Sequence, residues 1–190
     1  MAHPKILVMS GSSRDGSVNM MLATIAAERL TALGADVRHV SLKDFVLPLV
    51  DATGFGNAPA LATQLAELVL AQDGLFLVSP EYNAGYAPAL KNALDWISVA
   101  KPGAPGTTLS GKVVALGGAS PGAMGGYRGL TQLRTVLELG FGATLVPEMV
   151  AVGNAGTAFK DDGTLSDERT AGFLDATLTK LVSMSAKLKA

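Results

Sequence analysis

The sequence predicts an α/β fold in which helices cover both faces of a parallel, five-stranded sheet. Strand-like segments occur five times along the 190 residues, and three of them, at residues 6–9, 75–78 and 113–116, are the short, continuous apolar runs typical of strands buried on both faces. A segment with apolar residues at helical spacing follows each strand-like segment. Several of the connecting loops are rich in glycine and small polar residues.

The first strand–loop–helix unit displays this pattern clearly. Residues 6–9 (ILVM) form the first apolar run, and apolar positions then recur at helical spacing from Val18 to Leu33. Ser17 is the expected N-cap, because its side-chain oxygen can accept a hydrogen bond from a first-turn amide. Gly34 is the expected C-cap, because glycine adopts the left-handed conformation common at helix ends.

The remaining elements continue the alternation. Further strands are predicted at residues 37–40, 75–78, 113–116 and 145–152. Pro147 is expected to bend or interrupt the last of these strands, because it cannot donate to a sheet ladder. Further helices are predicted over residues 61–68, 88–97, 130–137 and 174–181, with Pro88 suited to a first turn. Residues 101–110 are expected to form a connector and residues 161–163 a turn.

The chain length and the handedness of crossover connections favour the strand order 2-1-3-4-5. This order defines a flavodoxin-like, three-layer sandwich. No internal repeat, linker or low-complexity segment divides the sequence, so residues 1–190 are expected to form one domain.

The composition excludes several classes of function. The formal net charge is -1 and no Lys/Arg cluster is present, so a nucleic-acid partner is not expected. There is no cysteine, which excludes disulfides, thiolate metal sites and a cysteine nucleophile. The two histidines lack partners at metal-ligand spacing, so no metal site is expected. We expect a cytoplasmic protein, because no signal-peptide pattern or membrane-length apolar run occurs.

Three loops are expected to meet at one edge of the sheet, at residues 11–19, 80–87 and 118–126. In an open α/β sheet, ligands bind at the carboxyl ends of the strands, where the strand order reverses. In the predicted order, this point lies between the first and third strands. The sequence therefore predicts a ligand site at this edge.

The first loop, GSSRDGSVN, has the features of a phosphate site. A helix beginning near Ser17 presents free amides and a positive dipole end to an anion. Glycines permit close backbone approach, and hydroxyl, guanidinium and amide groups can bond phosphate oxygens; these residues are Gly11, Gly16, Ser12, Ser17, Arg14 and Asn19. The alternative is an ordinary loop before a serine-capped helix.

The same loop does not match two common nucleotide motifs. Ser17 occupies the position where a triphosphate loop has its lysine. Ser13 occupies the second glycine position of the dinucleotide pattern G-x-G-x-x-G. These departures favour a single terminal phosphate over a triphosphate or a dinucleotide.

The other two loops offer groups for a planar ligand. Tyr82 has a flat ring, and backbone amides near Asn83 can reach the edge of a heterocycle. Gly118 and Ser120 lie where another edge of a ligand would be lined. The alternatives are that Tyr82 simply packs and that the third loop is a flexible connection.

Together, GSSRDGSVN and SPEYNAGYAPALKNALDWIS resemble the motifs of the NADPH-dependent FMN reductase family. The resemblance covers nearly the whole chain. It implies a flavodoxin-like fold, bound FMN, NADPH or NADH as hydride donor, and a homodimer or homotetramer. It also implies that Ser12, Arg14, Ser17 and Asn19 hold the FMN phosphate, with the backbone of Val18. By the same resemblance, Pro80, Glu81, Tyr82 and Asn83 line the isoalloxazine, and Gly118 and Ser120 close its other edge.

The predicted function is a ping-pong NAD(P)H oxidoreductase that passes electrons to quinones or similar acceptors, such as chromate, azo dyes or free flavin. The cofactor carries the redox chemistry, so no catalytic acid or base is assigned to the protein. One alternative is a non-enzymatic, flavodoxin-type electron carrier, although such carriers are typically strongly acidic. Another is a phospho-ligand-binding regulator without flavin.

Overall fold

The computed structural model describes residues 3–54, 56–100 and 108–189. The strands, in chain order, are β1 (Lys5–Ser10), β2 (Asp36–Ser41), β3 (Gly74–Val78), β4 (Glu81–Tyr82), β5 (Gly85–Tyr86), β6 (Val113–Ala119) and β7 (Thr144–Val152). The helices are α1 (Val18–Ala32), α2 (Ala60–Leu70), α3 (Pro88–Val99), α4 (Tyr127–Thr135) and α5 (Glu168–Leu188). Short 3-10 turns lie at Leu42–Asp44 and Ala52–Gly54.

Five parallel strands form the main sheet in the order β2-β1-β3-β6-β7. Numbered by main-sheet strands alone, this is the predicted order 2-1-3-4-5, so the predicted fold class is confirmed. The order reverses between β1 and β3, and the ends of these two strands are joined by a hydrogen bond from Gly11 N to Val78 O of 2.8 Å.

The sheet is buried on both faces. In β1, Leu7 and Met9 contact the core formed with α2, α3 and α4. Ile6 and Val8 lie on the opposite face, in the core formed with α1 and α5. Alternate residues of a strand point to opposite faces, so burying both faces requires an apolar residue at every position. This requirement explains the continuous apolar runs.

The caps of α1 largely follow the prediction. The side-chain oxygen of Ser17 accepts a hydrogen bond from Asn19 N at 3.2 Å, as an N-cap does. The C-cap is Leu33, and Gly34 follows it with a φ of +84°. The expected glycine is therefore one position beyond the cap, where the left-handed conformation ends the helix.

The structure differs from the predicted elements in three places. Gly117 and Gly118 belong to β6, so the third loop begins at Ser120 and not at Gly118. Residues 80–87 contain a two-stranded antiparallel hairpin, β4–β5, where the sequence predicted only a loop. After α4, the helix continues as a π-helical turn at Val136–Gly140.

The predicted interruption by Pro147 is confirmed as a register shift in β7. Leu145 pairs with Val114, but the next paired residue of β7 is Met149, opposite Leu116. The predicted turn at residues 161–163 is also present, with Asp162 accepting a hydrogen bond from Thr164 N at 2.9 Å. Most of the predicted connector, residues 101–107, lies outside the described residues.

Over residues 3–54, 56–100 and 108–189, no helix is both long enough and apolar enough to cross a membrane.

Candidate functional site

A cavity of about 390 Å³ lies at the carboxyl ends of the central strands. Parts of all three predicted loops border it, as the strand-end argument requires. The predicted site residues that line it are Ser12, Arg14, Ser17, Val18, Asn19, Pro80, Glu81, Tyr82 and Ser120. Gly11, Asn83 and Gly118 are neighbours of these residues but are not part of the cavity lining.

The first loop is held in place by its own backbone and by serine hydroxyls. Gly11 is packed so closely that a Cβ there would lie 3.1 Å from Leu90 Cβ. Ser12 N donates to Ser10 Oγ at 3.3 Å, and Ser41 Oγ donates to Ser12 O at 3.3 Å. Gly11 therefore anchors the loop on β3 and α3.

The loop leaves a set of hydrogen-bond donors unused beside the cavity. The hydroxyl oxygens of Ser12 and Ser17 each accept a hydrogen bond from a backbone amide. Neither hydroxyl donates a hydrogen bond to an acceptor among the described residues. The amides of Ser17 and Val18 at the start of α1 also make no hydrogen bond within the described chain. Four potential donors and a helix N-terminus therefore meet at one place, which is the chemistry that binds a phosphate.

Arg14 supplies the positive charge of this cradle. Its side chain borders the cavity and forms no ion pair with a described residue. The neighbouring Asp15 is instead paired with Lys43, and this carboxylate raises the pKa of Lys43 through a hydrogen bond and its charge. Because Lys43 offsets the acidic neighbour, Arg14 remains available for a charge-assisted contact with an anion.

The side chain of Asn19, which the resemblance assigns to the FMN phosphate, bonds strand β6. Its side-chain amide donates to Ala119 O at 2.9 Å and accepts from Ala119 N at 2.8 Å. The residue is only 4% exposed. Both polar atoms of the side chain are therefore directed at β6 and already engaged there.

The second wall of the cavity is the β4–β5 hairpin. Asn83 and Ala84 form its two-residue turn with φ of +49° and +65°, the left-handed pair that a type I′ turn requires. Tyr82 lies beside the turn and remains 57% exposed, which leaves its ring accessible to a planar ligand.

Glu81 ties this hairpin to helix α4. Its carboxylate accepts hydrogen bonds from Arg128 Nε at 3.0 Å and from Gly129 N at 3.1 Å. Burial opposes ionisation of this carboxyl, but the hydrogen bonds from Gly129 and Arg128 and the arginine charge outweigh it and lower the pKa of Glu81. The carboxylate therefore holds the hairpin, and Glu81 borders the cavity without directing a free charge into it.

Gly118 shapes the third wall from within β6. A Cβ at this position would lie 2.9 Å from Ser79 O, so a side chain would push β6 away from the start of the second loop. Ser120, just beyond the strand, lines the cavity and donates its backbone N–H to Val152 O at 3.1 Å.

A fourth wall was missed by the sequence reasoning. Ala155 and Gly156, which follow β7, line the cavity together with Ala119 and Pro121. Ala155 N donates to Ser120 O at 3.0 Å, which joins this segment to the third loop. The sequence does contain a signal for this wall, because the small residues GNAG (153–156) follow the fifth predicted strand and must lie at the same edge of the sheet as the other loops.

The fold and the cavity together define a flavodoxin-like protein with a site for a phosphate-bearing ligand. FMN fits this site, since it has one terminal phosphate for the cradle and a planar ring for the wall at Tyr82. Ser12, Arg14, Ser17 and the amide of Val18 are the groups that would hold the phosphate.

Comparison with known proteins identifies the family. The sequence pattern of the NADPH-dependent FMN reductase family matches residues 4–157. An NAD(P)H-dependent FMN reductase of Pseudomonas aeruginosa is 34% identical over 178 residues, which cover 93% of this chain and 92% of that protein. A quinone reductase of Escherichia coli is 34% identical over 134 residues, covering 70% of this chain and 69% of that protein.

A solved structure supports the same relationship. The flavoenzyme NAD(P)H:(acceptor) oxidoreductase of Paracoccus denitrificans matches this chain with a TM-score of 0.81 and 28% identity. The match covers 97% of this chain and 98% of that one. The chain therefore belongs to the NADPH-dependent FMN reductase family.

Membership of the family confirms the resemblance found in the sequence. The protein is an enzyme, an FMN-dependent NAD(P)H oxidoreductase, with FMN as cofactor and NAD(P)H as hydride donor. The alternatives of a non-enzymatic electron carrier and of a regulator without flavin are not favoured.

Proposed function

We propose that this enzyme reduces quinones and similar acceptors by a ping-pong cycle, in which the oxidised nicotinamide leaves before the acceptor binds. The observation that carries the proposal is the cavity itself, which joins a one-phosphate cradle to an exposed aromatic side chain, Tyr82. When bound, FMN would supply the redox chemistry: it would take a hydride from NAD(P)H and pass a hydride on to the acceptor, and for a quinone the second proton of the hydroquinone would come from solvent.

The protein residues bind and orient in this scheme. Ser12, Ser17 and Arg14 hold the phosphate end by hydroxyl and charge-assisted hydrogen bonds. The hairpin at Glu81–Tyr86 and the segment around Ser120 border the other end of the cavity. No side chain is assigned to proton transfer, because hydride transfer to the cofactor requires no protein acid or base.

The size of the cavity supports the ping-pong order. Its volume of about 390 Å³ lies near the lower end of the ~300–1,000 Å³ typical of small-molecule sites. With the cofactor in place, little space remains inside for two further reactants. The donor and the acceptor are therefore expected to use the same open side in turn.

The exposed ring of Tyr82 favours a planar acceptor. A quinone can stack against an aromatic side chain and a flavin ring, and the E. coli relative is named a quinone reductase. Chromate, azo dyes and free flavin are further candidate acceptors. Measuring kcat/KM for a quinone and for each of these three acceptors would rank the four classes.

Anaerobic stopped-flow mixing tests the cycle. The enzyme loaded with FMN is mixed with NADPH or NADH alone, and the visible absorbance of the oxidised flavin is followed. We expect the absorbance to fall without any acceptor and to return when benzoquinone is added in a second mix. A cofactor that stays oxidised with both nucleotides contradicts the proposed donor step. Reduction that needs the acceptor to be present excludes the ping-pong order.

We also propose that the chain forms a homodimer or homotetramer, as the family resemblance implies. Val46 and Leu49, in the segment after β2, are 81% and 84% exposed, which supports contact with another copy. Light scattering after size exclusion is expected to give a multiple of the 19.4 kDa chain mass. A monomer at all concentrations tested contradicts this proposal.

A further inference from the structure

The side chain of Asn19 completes the hydrogen bonding of a strand end. β3 pairs with β6 as far as Val78 opposite Gly117, so β6 continues beyond its neighbour. On its other side β6 stays paired with β7, where Ala119 is opposite Val152. The Asn19 amide bonds both Ala119 N and Ala119 O, and so takes the place of the missing strand partner.

An asparagine amide suits this position because it has the same donor and acceptor groups as a peptide unit. If the side chain turned toward a phosphate, the Ala119 N–H and C=O would lose their partners in a buried environment, which is unfavourable. The backbone amide of Asn19 is also engaged, since it donates to Ser17 Oγ at 3.2 Å. The geometry therefore opposes a direct contact between this side chain and the phosphate.

The bond joins two walls of the cavity that are 100 residues apart in sequence. Asn19 lies in the first turn of α1, beside the donors of the phosphate cradle. Ala119 is itself part of the cavity lining and precedes Ser120 and Pro121, which also line it. A change at Asn19 would therefore alter the separation between the cradle and the third loop.

We propose that Asn19 is a positioning residue that sets this separation, and not a ligand of the FMN phosphate. The inference rests on FMN as the bound cofactor. It follows that removing the amide weakens binding of the whole flavin, whereas removing a true phosphate contact weakens only a flavin that has a phosphate.

A comparison of FMN with riboflavin, which lacks the phosphate, separates the two roles. The dissociation constants of both flavins are measured by fluorescence titration of the flavin-free full-length wild type, Asn19→Leu and Arg14→Ala. We expect Asn19→Leu to weaken both flavins at least tenfold and by the same factor, leaving the ratio of the two constants unchanged. Arg14→Ala is the matched control, in which FMN weakens roughly tenfold or more and riboflavin is unchanged.

Two results would overturn the positioning role. One is a loss in Asn19→Leu that is confined to FMN, as in Arg14→Ala. The other is unchanged affinity for both flavins, which would mean that the bond to Ala119 supports the fold alone. Visible circular dichroism of bound riboflavin gives a second readout, because a displaced third loop changes the asymmetric environment of the ring in Asn19→Leu but not in Arg14→Ala.

NMR of the wild type tests the bond without any variant and without flavin. The side-chain amide protons of Asn19 are expected to exchange slowly with solvent, and their resonances to move little when inorganic phosphate or FMN is added. Rapid exchange in the flavin-free protein refutes the bond to Ala119, even if Asn19→Leu does not fold. A wild type that binds neither flavin would contradict the proposed function, and the exchange measurement would still test the bond between Asn19 and Ala119 on which the inference depends.

Discussion

The carboxylate of Glu81 is expected to stabilise the fold by linking the β4–β5 hairpin to helix α4. Its side chain is 8% exposed, whereas that of Arg128 is 58% exposed. Glu81→Gln keeps an acceptor for Gly129 N and removes the charge that faces Arg128. We expect a loss of about 1–2 kcal/mol, at the lower end of charged hydrogen bonds because the arginine is screened by solvent. For a chain of this size, this loss corresponds to about 2–8 °C in Tm.

The pH dependence of the loss gives a more specific test. The folded-state pKa of Glu81 is lowered, so its stabilising contribution is complete above the ordinary glutamate value of about 4.3. The contribution disappears as the pH falls through the lowered value. Thermal melts of wild type and Glu81→Gln, recorded between about pH 3 and 8, are therefore expected to differ at neutral pH and converge at the acidic end.

Glu138→Gln is the matched control. Glu138 pairs with Arg134 at 3.1 Å on the surface, where its side chain is 41% exposed. An exposed pair of this kind contributes about 0–1 kcal/mol. If Glu81→Gln costs no more than this control, or if its effect is the same at every pH, the proposed link between hairpin and helix is refuted.

Two further substitutions, each compared with a control elsewhere in the chain, test the backbone near the site, one for strain and one for close packing. Ala84→Gly is expected to raise the free energy of unfolding by about 0.5–1 kcal/mol, because glycine adopts a φ of +65° without strain. In the control Ala71→Gly, the φ is −70°, and the free energy of unfolding should instead fall. Equal effects of the two substitutions in thermal melts would contradict this reasoning. Gly129→Ala should destabilise by roughly 1–3 kcal/mol, because its Cβ would lie 2.9 Å from Gly85 O. Gly172→Ala in helix α5 is the control, because a Cβ there would have no atom within 4 Å, and it should stabilise the protein by about 1 kcal/mol. If Gly129→Ala is as stable as the wild type, α4 does not pack closely on the hairpin.

The main sheet could be predicted because its signals are local. Each central strand needs apolar residues at every position, as in residues 6–9 and 75–78, since both faces are covered. Pro147 marked the irregular strand for an equally local reason, its missing N–H. Once the strand order is known, the position of the ligand site also follows, because strand ends and loops must meet at one edge.

The hairpin could not be found in the same way. Strands of two residues have no periodicity, and the turn Asn83–Ala84 lacks the Asn-Gly pair that usually marks a type I′ turn. Contacts distant in sequence hold it instead: Gln132 donates to Ala84 O at 2.8 Å, and Glu81 binds Arg128. Its conformation therefore depends on α4, which follows some 40 residues later in the chain.

The sequence by itself determined the fold class, the edge of the sheet that carries the site, and the groups suited to one phosphate. These properties depend on residue type and local spacing. Only the tertiary structure decided which groups of the protein Asn19, Glu81 and Gly118 contact. The residue types of all three positions are compatible with contact to a ligand. In the structure, however, the Asn19 amide bonds Ala119 and the Glu81 carboxylate bonds Arg128. The absence of a side chain at Gly118 leaves room for Ser79 O. A polar group bonds whichever partner the fold brings within hydrogen-bond distance, and burial fixes that choice because leaving the partner unsatisfied is unfavourable.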